Sequence, residues 1–226
     1  MLTDATDADL MKVKGPAQNP AMSTTIEPPR RSALEFFDRQ FERQVEASDY
    51  ALNPFERAVL PHLSGDVLDL GCGLGNLALA AAERGCRVTA LDASATAIAD
   101  LARRVAGRGL ALEAHSADLR HYVPARDYDC VVSIGLLMFF ACADARGLLA
   151  RLREAVRPGG MAALNVLIEG TTYMGMFDPD AHCLFGRDEL GEAFAGWKIL
   201  LSRREDFPAP GGTLKRFHTL LARRPK

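Results

Sequence analysis

Val67-Leu68-Asp69-Leu70-Gly71-Cys72-Gly73-Leu74-Gly75-Asn76 is the stretch on which the fold turns. It begins as a short apolar strand over 67–70, passes through three glycines spaced two apart, and enters an Ala- and Leu-rich helix over 76–84 that Gly85 ends. Residues 87–91 read as a second strand, so the unit is strand, helix, strand. Backbone amides in such a turn can approach a ligand closely, because glycine has no side chain to hold it off. A dinucleotide fingerprint counted from Gly71 needs a third glycine at position 76, which is asparagine; counted from Gly73 it finds only the weaker alanine form, Ala78. Asp69, two residues before the first glycine, would repel a pyrophosphate and pair well with an ammonium group.

S-Adenosylmethionine carries an ammonium and a carboxylate at its amino-acid end, which an acid at the strand end and bare amides in the turn would both suit. Asp92 ends the second strand 21 residues after Gly71, where a carboxylate can accept hydrogen bonds from two ribose hydroxyls. Asp118, in Ser116-Ala117-Asp118-Leu119, follows the third strand and could accept a bond from an adenine amino group. The plain structural alternatives are a cap on the helix that starts at Ala95 for Asp92, and a surface turn for Asp118. The expected cofactor set is Asp69, Gly71, Gly73, Gly75, Asp92, Ala93, Asp118, Leu119 and Ser133.

Outward from this unit the alternation continues through a helix over 95–106, strands over 110–115 and 129–134, a helix over 144–156, a stop at Arg157-Pro158-Gly159-Gly160, and a strand over 161–168. An open, doubly wound, mostly parallel α/β sheet follows from that order. After a Gly- and Met-rich loop over 170–177 come a helix over 187–194 and two strands, 197–203 and 213–222. The short Pro- and Gly-rich turn between these strands forces them antiparallel. Before the sheet, Ser32 caps an amphipathic helix carrying Leu34, Phe37, Phe41 and Val45, expected to pack on the body, and a second helix covers 54–63. Residues 1–31, rich in Asp, Thr, Pro, Ala and Ser, read as a disordered tail. Residues 32–226 read as one domain, divided into N-terminal helices (32–64), a cofactor half (65–168) and a substrate-side loop, helix and hairpin (169–226).

Composition narrows the function. The 226 residues are 48% hydrophobic and 25% charged, with 27 Lys and Arg against 29 Asp and Glu, so no bulk basic field is present to hold a nucleic acid. The strongly apolar run over 130–143 is too short to span a bilayer, and the start Met1-Leu2-Thr3-Asp4 lacks the features of a secretory signal. A cytoplasmic location is expected, with no membrane or nucleic-acid partner and a monomer or homodimer as the assembly. Five cysteines, an odd number without a Cys-x-x-Cys pair, argue against a disulfide framework and against a metal site.

Asp69-x-Gly71-x-Gly73-x-Gly75, Asp92, Asp118 and the Arg157-Pro158-Gly159-Gly160 turn resemble the class I S-adenosylmethionine-dependent methyltransferases over residues 65–225. The resemblance implies S-adenosylmethionine as cofactor and a seven-stranded sheet whose last strand is antiparallel. The segment Ser133-Ile134-Gly135-Leu136-Leu137-Met138-Phe139-Phe140 lacks the polar residue, Pro-Pro and aromatic that enzymes acting on base amino groups carry, and its apolar character suits a small acceptor. Within the class the chain is similar to the tellurite-resistance methyltransferases, which act on tellurium and selenium oxyanions. The similarity lies in residues 133–139, Phe185-Gly186-Arg187-Asp188-Glu189-Leu190 with Gly196-Trp197, and Arg216-Phe217-x-Thr219-x-Leu221-Ala222-Arg223. Where that family has Glu-Leu-His-Arg, this chain reads Glu205-Asp206-Phe207-Pro208-Ala209-Pro210, so an oxyanion site would be built from other residues.

Arg216 is the first candidate for that site, since a guanidinium offers a two-pronged fork to an oxyanion, and His218 alternates with it on one strand face. Tyr173 and His182 flank the loop that could cover the pocket, and Arg39 on the first helix could reach it if that helix folds over the cofactor. No dedicated base stands out. A nicotinamide-dependent reductase and a cofactor-binding regulator without catalysis are the alternatives.

Overall fold

The computed structural model describes residues 32–178 and 180–226, so the expected tail over 1–31 lies outside the described residues. Thirteen helices and strands carry the description: α1 (Ala33–Glu46), α2 (Pro54–Val59), β1 (Asp66–Leu70), α3 (Asn76–Glu83), β2 (Arg87–Asp92), α4 (Ala95–Val105), β3 (Leu112–Ser116), β4 (Tyr128–Ile134), α5 (Cys142–Glu154), β5 (Val156–Leu167), α6 (Glu189–Ala193), β6 (Lys198–Ala209) and β7 (Thr213–Arg223). They build a seven-stranded sheet in the order β3-β2-β1-β4-β5-β7-β6. The first five strands are parallel, and β7 runs antiparallel to both β5 and β6. This is the doubly wound sheet read from the alternation, with the order reversing between β1 and β4. Open α/β sheets bind ligands at such a reversal, outside the carboxyl ends of the strands.

Both faces of the sheet are covered. Leu68, Leu70, Val131 and Leu164 pack under Leu148, Leu149 and Leu152 of α5 on one side. Val67, Ala90, Val132 and Ala163 pack under Ala78, Ala81 and Leu101 on the other. β1 is accordingly buried along its whole length, as a parallel strand between two helical layers must be. No helix among the described residues is long and apolar enough to cross a membrane.

Several boundaries differ from the sequence reading for identifiable reasons. The Arg157-Pro158-Gly159-Gly160 turn is not a gap between helix and strand but part of β5. Gly160 permits it, because a Cβ there would lie 2.7 Å from the carbonyl oxygen of Asp129. The helix expected over 54–63 is α-helical only to Val59 and then tightens into a 3-10 turn at Leu60–His62, around Pro61. The last strand is antiparallel as expected, and β7 inserts between β5 and β6, so β6 forms the sheet edge.

The expectation of no disulfide is corrected. Cys142 at the start of α5 is bonded to Cys183, just before the residues that bridge Phe185 to Ile168, across a sequence separation of 41. Counting cysteines cannot reveal a pairing between distant segments, whereas the fold places their Cα atoms 4.7 Å apart. Cys72, Cys86 and Cys130 remain free and buried.

At the amino ends of the strands Asp66, 3% exposed, accepts hydrogen bonds from Arg87 Nε at 2.6 Å and Arg157 Nη1 at 3.0 Å, with Arg126 Nη1 at 3.1 Å. The Arg87 hydrogen bond, ahead of those from the other arginines, holds its carboxyl well below the usual range against the opposing effect of desolvation. A depressed folded-state pKa contributes stability that is present above the unfolded value, about 3.9, and lost as pH falls below it. The unfolding temperature of the wild type should therefore drop steeply below about pH 4, and Asp66→Asn should be less stable at pH 7 with a shallower acid decline. Parallel curves for the two proteins in a thermal melt series would exclude Asp66 as the source.

Candidate active site

At the carboxyl end of β1 the chain turns on glycines. Gly71 and Cys72 both donate backbone hydrogen bonds to the carbonyl of Leu91, at 2.8 and 3.0 Å, which pins the turn across the end of β2. Asp92 completes the clamp: its Oδ2 accepts from the Gly73 amide at 2.8 Å and its Oδ1 from the Ser94 amide at 2.9 Å. The helix that starts at Ala95 is capped by Ser94, whose hydroxyl accepts from Ala97, so Asp92 is not that helix's N-cap. Burial pushes the Asp92 carboxyl up, partly offset by these amides. A carboxylate with each oxygen committed once still has lone pairs to offer.

A cavity of about 1190 Å³ opens here. Single-ligand sites usually measure about 300–1,000 Å³, so there is room for a nucleoside cofactor and a second molecule. Its lining includes Asp69, Gly71, Gly73, Asp92, Ala93, Asp118 and Leu119 of the expected cofactor set. Gly75 does not line it; it is the N-cap of α3, in a left-handed conformation against Leu101. Ser133 does not line it either, being wholly buried within β4. Asn76, where a dinucleotide fingerprint requires glycine, is instead the first residue of α3. Asp69, buried at 4% exposure, has its carboxyl pushed up to about 8 by desolvation first, then by the charges of Glu56 and Asp92.

The cover of the cavity is α1. None of its residues is buried, because its apolar side faces the cavity instead of a solid core. Phe37 packs edge-on against Phe139 at 4.9 Å, and Phe139 reaches Phe177 at 5.2 Å, so an aromatic chain joins the helix, the segment after β4 and the loop before α6. On the far side Phe55 of α2 stands 5.0 Å from Phe217 and 5.6 Å from Phe207.

The acceptor-side candidates fall elsewhere. Arg216 turns away from the cavity and forms a two-pronged ion pair with Asp206 on β6, at 2.9 and 2.8 Å, which occupies the fork expected to hold an oxyanion. His218, on the same strand face, is buried against Ser202 Oγ at 2.9 Å, and desolvation pushes its pKa down. Tyr173 is tied by its backbone amide to Leu214 and does not line the cavity. His182 stacks on Phe177, and Arg39 is exposed on the outer side of α1. The residues that line the cavity from α2, β5 and β7 were not singled out as candidates from sequence: Glu56, Asn165, Lys215 and Phe217. Asn165 donates from Nδ2 to Thr219 Oγ1 at 2.9 Å and leaves its own Oδ1 buried without a partner. Strand alternation was the available signal, but two adjacent cations, Lys215 and Arg216, left its phase undecided. A smaller groove of about 430 Å³, between Arg153, Trp197 and Arg224, lies at the amino end of β5, away from the glycine turn. Among the described residues no group of His, Cys, Asp and Glu is placed to hold a metal ion.

A family match covers the part of the chain that holds the glycine turn. Residues 67–160 match the family described as a methyltransferase domain, and the seven-stranded architecture with its glycine turn is that of a class I S-adenosylmethionine-dependent methyltransferase domain. Among solved structures, TehB from Haemophilus influenzae superimposes with a TM-score of 0.68 at 21% identity, covering 85% of this chain and 67% of that one. In sequence the chain is 29% identical over 168 residues to a protein named hemagglutinin 1 from Eikenella corrodens, covering 70% of this chain and 54% of the relative. It is 30% identical over 134 residues to a malonyl-[acyl-carrier protein] O-methyltransferase from Salmonella typhimurium, covering 58% and 51% respectively. The chain thus spans about half the length of these curated relatives.

Proposed function

We propose that the protein catalyses methyl transfer from S-adenosylmethionine to a small-molecule acceptor, with tellurium and selenium oxyanions the first acceptors to test. The observation that carries the reading is the Asp92 clamp, which holds the Gly73 amide beside a cavity large enough for cofactor and acceptor together. The residues present fit the cofactor. Asp69 makes no hydrogen bond through its carboxylate among the described residues and suits an ammonium; Asp92 has lone pairs left for ribose hydroxyls; Asp118 lines the same space. Bound there, S-adenosylmethionine supplies a methyl group on a positively charged sulfur.

This chain's own part is positioning and exclusion of water. The glycine turn and Asp92 orient one molecule, while Phe37, Phe139 and Phe217 wall the remaining space and keep it poor in water. Such alignment of reactants accounts for much of the rate of a displacement that develops little new charge. The direct test is formation of S-adenosylhomocysteine on adding tellurite, selenite, or a set of small thiols and amines. Turnover with an oxyanion supports the finer reading, turnover with another acceptor keeps only methyl transfer, and tight cofactor binding without any turnover favours a regulator.

A pH dependence follows from Asp69. An ammonium favours the carboxylate form of a group whose pKa is raised to about 8, so binding should expel a proton at neutral pH. Affinity for S-adenosylhomocysteine should rise between about pH 6 and 8, by up to about tenfold per pH unit, and Asp69→Asn should flatten that rise. Calorimetry in buffers of different ionisation enthalpy counts the proton. An identical pH profile in Asp69→Asn would remove Asp69 from contact with the ammonium.

A further inference from the structure

Lys215 and Arg120 are the only cations among the described residues lining the cavity, and sheet order separates them. Arg120 follows β3 beside Asp118, on the flank where the cofactor's acids lie. Lys215 belongs to β7, four strand intervals from β2, or roughly 19 Å at the usual spacing. Because β7 pairs antiparallel with β5, matching Leu167 to Phe217 and Asn165 to Thr219, Lys215 stands beyond the carboxyl end of β5, over the acceptor end of the cavity. It shares a strand face with Phe217, whereas Arg216 faces the opposite way and is committed to Asp206.

The surroundings of Lys215 are mostly apolar. Its ammonium sits 4.8 Å from the centre of the Tyr173 ring, and Phe217 and Phe55, tilted against each other with ring centres 5.0 Å apart, share the cavity lining with Met176. The side chain is half-buried, and the lowering of its pKa has burial as its cause, with no carboxylate contributing. A desolvated ammonium without an acid partner is costly, and an anion supplied by a ligand removes that cost. Glu56 and Asp178 also line the cavity, but neither forms an ion pair with it.

Resting on the methyltransferase reading above, we infer that Lys215 determines acceptor specificity: the acceptor is a small organic anion, with its charged group on Lys215 and an apolar or aromatic body against Phe55, Phe217 and Met176. A bare inorganic oxyanion would satisfy the lysine and leave the aromatic walls unused. An organic acid uses both.

The test is calorimetric titration of the full chain loaded with S-adenosylhomocysteine. The probes are 3-phenylpropionate, 4-hydroxybenzoate and indole-3-acetate, each against its own amide, with selenite as the inorganic arm. At least one acid should bind tenfold or more tightly than its amide and than selenite. That preference should vanish in Lys215→Met and return in Lys215→Arg, while affinity for S-adenosylhomocysteine stays the same in all three proteins. Equal binding of every acid and its amide, retention of the preference in Lys215→Met, or selenite binding as tightly as the best acid would each overturn the inference. S-Adenosylhomocysteine binding is read first: if the wild type does not take it up, the methyltransferase reading itself fails.

Discussion

Asp92→Ala should lower affinity for S-adenosylhomocysteine by about two to four orders of magnitude while the protein stays folded. The carboxylate already accepts from the Gly73 and Ser94 amides, so its substitution removes the anchor of the turn together with the acceptors proposed for two ribose hydroxyls. Hydrogen bonds to a charged group contribute about 1.5–3 kcal/mol each, which for two gives the stated loss. Folding should survive, because Gly71 and Cys72 remain bonded to the Leu91 carbonyl. Asp92→Asn should also bind poorly, since its amide nitrogen would confront one of two backbone N–H donors. Isothermal titration measures the affinity, and circular dichroism checks the fold. Unchanged affinity in Asp92→Ala would end its assignment to the cofactor.

The second large effect is on stability. Gly75→Val should lower the unfolding temperature by roughly 4–20 °C, at about 2–4 °C per kcal/mol for a chain of this size. Gly75 precedes α3 as its N-cap at φ +67°, and a Cβ there would lie 2.4 Å from Leu101 Cδ2, a side chain with no exposed surface. The left-handed backbone costs a side chain about 1–2 kcal/mol, and forcing methyl groups into the core about 1–3 more. Gly85→Ala separates the two contributions, because its φ is +91° but nothing stands within 4 Å of the added carbon. A melt in which Gly75→Val and Gly85→Ala fall equally would show that the Leu101 contact adds nothing.

These two positions also mark what could be read locally. Asp69, the glycine turn and Asp92 lie within one strand-helix-strand unit, and neighbouring backbone geometry brings them to one strand end, so their order along the chain already places them together. Ser32 was legible as a cap for the same reason, and its hydroxyl does accept from Glu35 at 3.3 Å. Gly75 carried a mixed signal: it belongs to the glycine pattern yet supports the contact between α3 and α4. The apolar face of α1 was legible as a face, but sequence alone could not show that it covers a cavity.

Local chemistry in the sequence was enough to determine the doubly wound sheet, the turn at Gly71 and Gly73 and the acid at Asp92, because each depends on residues close together in the chain. Tertiary structure alone decided that Lys215 faces the cavity and Arg216 the Asp206 carboxylate, since one step along a strand reverses the side and only pairing with β5 and β6 sets the phase. It alone joined Cys142 to Cys183, because two thiols 41 residues apart meet only after the sheet has brought α5 beside the segment that precedes Phe185.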